Sequence, residues 1–124
     1  MQRAKGIWVL EDMPSPANTI VNTCNQLNLP VTWSTSYREY RDSFKIKVPT
    51  YPIVFIDNTY EDKEDVGYAM AHAIKSQFPQ SVTVSSTFDE RPIHGTDEVY
   101  DKNGLCNNIN GTMFFIKYLL QKYY

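Results

Sequence analysis

"YPIVFID" (residues 51–57) is the stretch on which the fold turns. From Pro52 to Ile56 the run is continuously apolar, with β-branched and aromatic side chains, and it stops at Asp57. A strand with one face in water alternates; an unbroken apolar run is what a strand covered on both faces shows. Working outward, "KGIWVL" (5–10) has the same character and ends in Glu11-Asp12. "LPVTWS" (29–34), "SVTVSS" (81–86) and "EVYD" (98–101) read as three further short strands. Helical spacing fills the intervals. Residues 16–27 repeat Ile20, Cys24 and Leu27, with Ser15 placed to cap and Pro16 at the first helical position. "SYREYRDSF" (36–44) reads as a short polar helix. "EDKEDVGYAMAHAIKSQF" (61–78) opens with acids that suit the positive end of a helix, and its core stripe is Val66, Met70, Ala73, Ile74 and Phe78. "NNINGTMFFIKYLLQKYY" closes the chain, capped by Asn107 or Asn108. Strands alternating with helices predict a doubly wound α/β fold: one parallel sheet with helices on both faces, as a single domain over 1–124.

Composition narrows the function. The formal net charge is -2 and the Lys and Arg residues are scattered, which argues against nucleic-acid binding. No apolar run approaches the roughly 20 residues of a membrane span, and the N-terminal run is too short for a signal peptide. Cys24 and Cys106 have no CxxC partner and read as buried, reduced thiols, which fits a cytoplasmic protein. Neither GxGxxG nor GxxxxGK[ST] occurs, so no glycine-rich phosphate cradle is expected.

In such a fold the strand C-termini share one edge, and ligands bind outside it. The strands here end in Glu11-Asp12, Asp57, Ser85-Ser86-Thr87 and Asp101-Lys102; Ser34-Thr35, ending the second strand, adds nothing decisive. Carboxylates brought together repel unless a cation sits between them. Mg²⁺ suits an all-oxygen set, and Lys102 adds an ammonium. A hydroxyl such as Ser86 can bond a phosphoryl oxygen. The set suits transfer of a phosphoryl group onto a carboxylate, where positioning and charge neutralisation do most of the catalytic work. An acidic cluster also suits a small metal-dependent phosphohydrolase, but such enzymes usually need a lid, for which the chain leaves little room.

Glu11-Asp12, Asp57, Ser86 and Lys102, in this order and at these intervals, resemble the receiver domains of two-component response regulators over nearly the whole chain. "VTVSSTFDE" is similar to the family's strand-four ending and "GTDEVYDKN" (95–103) to its lysine segment. The resemblance implies a flavodoxin-like five-stranded sheet of order 2-1-3-4-5. It implies that Asp57 accepts a phosphoryl group from a histidine kinase or phosphotransfer protein. Asp12 and Asp57 would hold Mg²⁺ directly, Glu11 through water, with the Thr59 backbone carbonyl as a further ligand. Lys102 would contact the phosphoryl group, Ser86 would move to bond it, and Val99 would be the coupled switch position. The family is not an enzyme in the ordinary sense; it phosphorylates itself from a donor and then hydrolyses.

The chain departs from the pattern in several places. Only "TFDERPIHG" occupies the place of the fourth helix, and it contains Pro92, which costs roughly 3 kcal/mol inside a helix. That helix is expected to be one turn at most, or a loop. Asn103 follows Lys102 where the family has a cis proline, so a trans bond is expected. The loop after Asp57 reads "NTYEDKEDVG", more acidic than usual. At about 100° per residue, Ile109, Met113, Ile116, Leu120 and Tyr123 form the sheet-facing stripe of the last helix, flanked by Phe115 and Leu119. Phe114 and Tyr118 point outward, toward an effector or a second copy. These departures keep an alternative open: a degenerate receiver that binds partners without phosphorylation.

Overall fold

The computed structural model describes residues 5–57, 64–88 and 91–124, with the side chains of 64 and 65 excepted. Five parallel strands form one sheet in the order β2-β1-β3-β4-β5. They are β1 (Ile7–Leu10), β2 (Val31–Ser34), β3 (Ile53–Asp57), β4 (Val82–Thr87) and β5 (Glu98–Asp101). The helices are α1 (Pro14–Gln26), α2 (Tyr37–Thr50), α3 (Glu64–Gln77), α4 (Lys102–Leu105) and α5 (Ile109–Tyr123). This is the doubly wound parallel sheet that the alternation of strand and helix predicted, in the flavodoxin-like order that the resemblance implied.

Side chains alternate across a strand, so the sheet divides its residues by parity. Ile7, Val9, Ile53, Phe55, Val82, Val84 and Tyr100 build one core with α1 and α5. Trp8, Leu10, Val54 and Ile56 build the other with α2 and α3. Both faces are covered, which is why the central strands read as unbroken apolar runs.

Several local readings are corrected. Helix α1 begins two residues early: Met13 is its N-cap and Pro14, not Pro16, opens it. Ser15 is not the cap, because its hydroxyl donates to Asn107 Oδ1 across the fold. Helix α2 runs to Thr50 and carries Pro49 in its last turn. Its cap is Ser36, whose side chain accepts from Glu39 N–H. Cys24 is buried, and burial pushes its thiol up to about 12; Cys106 is only half-buried. In α5 the fully buried line is Thr112, Ile116 and Leu119, while Met113 and Leu120 are half-buried. A hydrophobic pattern could not place Thr112 there. Its hydroxyl bonds the Tyr100 hydroxyl at 2.9 Å and donates to the Leu105 carbonyl at 3.1 Å. Thr112→Val should therefore destabilise the protein by about 1–2 kcal/mol, since it strips a buried tyrosine hydroxyl of a partner; urea unfolding measures this.

Between β4 and β5 the described residues contain no helix. A strap, residues 91–97, crosses instead. Ile93 plugs into the α2–α3 core. Its N–H donates to Ser85 Oγ at 2.6 Å, and the Thr96 hydroxyl bonds the same oxygen at 2.9 Å. At the far end the Asp97 carboxylate accepts from Thr83 N–H and pairs with Lys75 of α3 at 3.0 Å. All peptide bonds among the described residues are trans, including that after Lys102. No helix there is long and apolar enough to cross a membrane.

Candidate functional site

The α1–α5 face of the sheet ends in charge. One step beyond Ile7 and Val9 the alternation reaches Glu11. Beyond Ile53 and Phe55 it reaches Asp57, beyond Val82 and Val84 it reaches Ser86, and beyond Tyr100 it reaches Lys102. Asp57 and Ser86 are partners on adjacent strands, and Ser86 is in turn the partner of Tyr100. Parity and register together therefore bring these four side chains to one spot. All are buried: Glu11 is 1% exposed, Asp57 3%, Ser86 2% and Lys102 2%.

Lys102 Nζ lies 2.6 Å from Glu11 Oε1 and 2.9 Å from Asp57 Oδ1. The other Glu11 oxygen accepts from Met13 N–H at 3.3 Å. Its backbone carbonyl accepts from the Trp33 indole at 2.7 Å, and its N–H donates to the Ser34 carbonyl at 3.3 Å. The second strand thus fixes the glutamate, a role its terminal Ser34-Thr35 did not announce. Asp12, half-buried, comes from the opposite parity, yet one carboxylate oxygen from each of Glu11, Asp12 and Asp57 lies within 4.8 Å of the others. Among the described residues Ser86 Oγ has no hydrogen-bond partner. Thr59 lies outside the described residues.

Electrostatics separates the three acids. Burial, then the negative charge of Asp57, raises the Glu11 carboxyl to about 8, despite the pull of Lys102. Burial and a hydrogen bond with Asp57 raise Asp12. Burial also works against the Asp57 charge, but the hydrogen bond from Glu11 and the charge of Lys102 outweigh it and hold that carboxyl below its ordinary value. Asp57 is thus the one of the three whose charged form its surroundings favour.

A pH prediction follows. The folded protein holds the Glu11 proton more tightly than the unfolded chain, so stability falls as pH rises between about 4.5 and 8. Without divalent cations, Glu11→Gln should remove much of that slope. The gain relative to wild type should grow to about 1–3 kcal/mol at pH 8 and vanish near pH 4.5. Thermal unfolding across this range checks it; a pH-independent difference would contradict it.

The donor set fits a small hard cation. It is all oxygen, the ligand type Mg²⁺ takes, and the three carboxylates already lie close together. Glu11, Asp12 and Asp57 are the residues that could hold it.

Two neighbours escaped sequence reasoning. The Phe88 ring lies over Lys102 Nζ, 5.1 Å from centroid to nitrogen. Asn103, noted only as a missing proline, donates from its side chain to the Phe88 carbonyl and from its backbone to Asp101 Oδ1 at 3.0 Å. No periodicity signals either contact. Of the outlying residues, Val99 and Tyr118 are exposed and Phe114 is 79% exposed. His72 is exposed and stacks on Tyr68.

No protein-family model and no curated protein matches the sequence. Solved structures do match the fold. A CheY-like response regulator receiver domain protein from Methanospirillum hungatei JF-1 superposes with a TM-score of 0.79 at 14% identity, covering 98% of this chain and 97% of that one. The phosphorylated cyanobacterial phytochrome response regulator RcpA gives 0.76 at 12% identity, covering 97% and 96%. The BeF3-activated DrrB receiver domain gives 0.74 at 17% identity, covering 96% and 99%. The chain has the fold of these receiver domains.

Proposed function

We propose that this chain is a phospho-accepting receiver domain of a two-component signal transduction system, with Asp57 as the acceptor. The observation that carries the reading is the buried hydroxyl of Ser86, without a partner among the described residues, directly across the sheet from Asp57, which already bonds Lys102. An unsatisfied buried hydroxyl costs about 1–3 kcal/mol. A phosphoryl group on Asp57 would supply the oxygen that satisfies it.

In the transfer, an Asp57 carboxylate oxygen forms a bond to phosphorus while the bond from phosphorus to the donor breaks. The donor is the phosphohistidine of a histidine kinase or phosphotransfer protein. Lys102 passes from Asp57 Oδ1 to a phosphoryl oxygen, and Ser86 donates its hydroxyl to another. Mg²⁺, held by Asp12 and Asp57, by Glu11 through water and by the Thr59 carbonyl, would neutralise charge on those oxygens. Hydrolysis of the acyl phosphate resets the site, so the chain turns over no separate substrate. The outward aromatics Phe114 and Tyr118, with Val99 as the switch position, form the surface for an effector or a second copy. We place the protein in the cytoplasm, as one domain, away from nucleic acid and membrane.

A second reading, a degenerate receiver that binds partners without phosphorylation, is favoured by the strap that stands where the fourth helix should be. Acetyl phosphate decides between them. With Mg²⁺ it should label the protein, and Mg²⁺ with beryllofluoride should shift amide resonances around Ser86 and Val99. No label and no shift would leave the degenerate reading standing.

A further inference from the structure

We propose that Phe88, latched by Asn103, is a positioning residue that holds Lys102 against the carboxylates and closes the solvent side of the site. The consequence for rates rests on the phosphoacceptor reading; the contact itself does not. A lysine is normally solvated, yet Lys102 is almost wholly buried. Two sides of its ammonium face Glu11 and Asp57, and a third lies under the Phe88 ring. Phe88 is 38% exposed, so it stands between the lysine and water. The cation beneath its face ties the ring to the site.

The latch fixes that ring. Asn103 donates its side-chain N–H to the Phe88 carbonyl, tying the end of β4 to the residue that follows Lys102. Its backbone N–H is spent on the Asp101 carboxylate, the cap of α4. A proline at this position could make neither bond. Lysine, cap and latch therefore form one unit. Lys102 must leave Asp57 Oδ1 for an incoming phosphoryl oxygen, and the ring restrains that departure. The same ring shields the acyl phosphate from water.

The test uses the full chain in two arms. Without any phosphodonor, NMR should show the Lys102 Cε protons shifted upfield by the ring. The shift should be lost in Phe88→Leu, weakened in Asn103→Ala and kept in Phe88→Trp. With acetyl phosphate and Mg²⁺, Phe88→Leu and Asn103→Ala should raise the labelling rate and the decay rate of the aspartyl phosphate together, by about threefold. Phe88→Trp should keep both slow. Both lost residues are exposed, so the variants should fold. An unshifted wild-type lysine overturns the proposal. Variants that change melting temperature but neither rate overturn the closing role and leave the phosphoacceptor reading intact. A shifted lysine in a wild type that takes no label supports the positioning contact and sinks that reading instead.

Discussion

Asp57→Asn should reduce phosphoryl incorporation from acetyl phosphate to background. The substitution keeps the shape and replaces a carboxylate oxygen with an amide, whose lone pairs are poor nucleophiles toward phosphorus. The other acids of the cluster are poorer candidates. Glu11 and Asp12 have their carboxyls raised by burial and by Asp57, whereas Lys102 and Glu11 lower that of Asp57. Intact-mass spectrometry after incubation with donor and Mg²⁺ measures the outcome. Stoichiometric label surviving in the asparagine variant would move the acceptor elsewhere, with Asp12 first in line. The variant also tests the coupling between acids: without the Asp57 charge, Glu11 should titrate lower, and the fall in stability toward pH 8 should flatten.

Lys102→Met should cost about 3–5 kcal/mol of unfolding free energy at pH 8 in the absence of divalent cations. Removing one partner of a buried ion pair leaves the other charged and unsolvated. Here one ammonium serves two carboxylates at 2.6 and 2.9 Å. Without it both carboxyls gain affinity for protons in the folded state. The penalty should therefore shrink at pH 5, where protonation relieves them, and grow as pH rises. Mg²⁺ should restore part of the loss at pH 8. Adding Glu11→Gln should restore part of it too, since the two sites touch and their effects are not additive. Urea unfolding of the single and double variants at both pH values gives the numbers. A penalty independent of pH and of Mg²⁺ would mean that lost packing, not lost charge compensation, is being measured.

Much of the site was legible because strand ends are legible. Glu11, Asp57 and Ser86 each sit two residues past an apolar side chain of the same parity, and one sheet face carries them all. What stayed hidden depends on contacts between distant segments. The polar Thr112 occupies the buried line of α5 because Tyr100 and Leu105 satisfy it, so the apolar pattern pointed one residue away. Ser15 looked like a helix cap and instead reaches Asn107. Helix α4 is too short for any periodicity. Phe88 and Asn103 take their meaning from a lysine that neither precedes in a recognisable motif. That the described residues between β4 and β5 form no helix was legible from Pro92 and from the short interval before β5; how Ser85, Thr96 and Asp97 would anchor the strap was not.

That anchorage makes β4 a mechanical link. Ser85 and Ser86 are neighbours whose side chains leave the sheet on opposite sides. One faces the acid cluster; the other carries the strap through Ile93 and Thr96. About 3.3 Å of chain separates them. If Ser86 moves toward a phosphoryl group on Asp57, as proposed, the strap residues bonded to Ser85 are one residue from that movement.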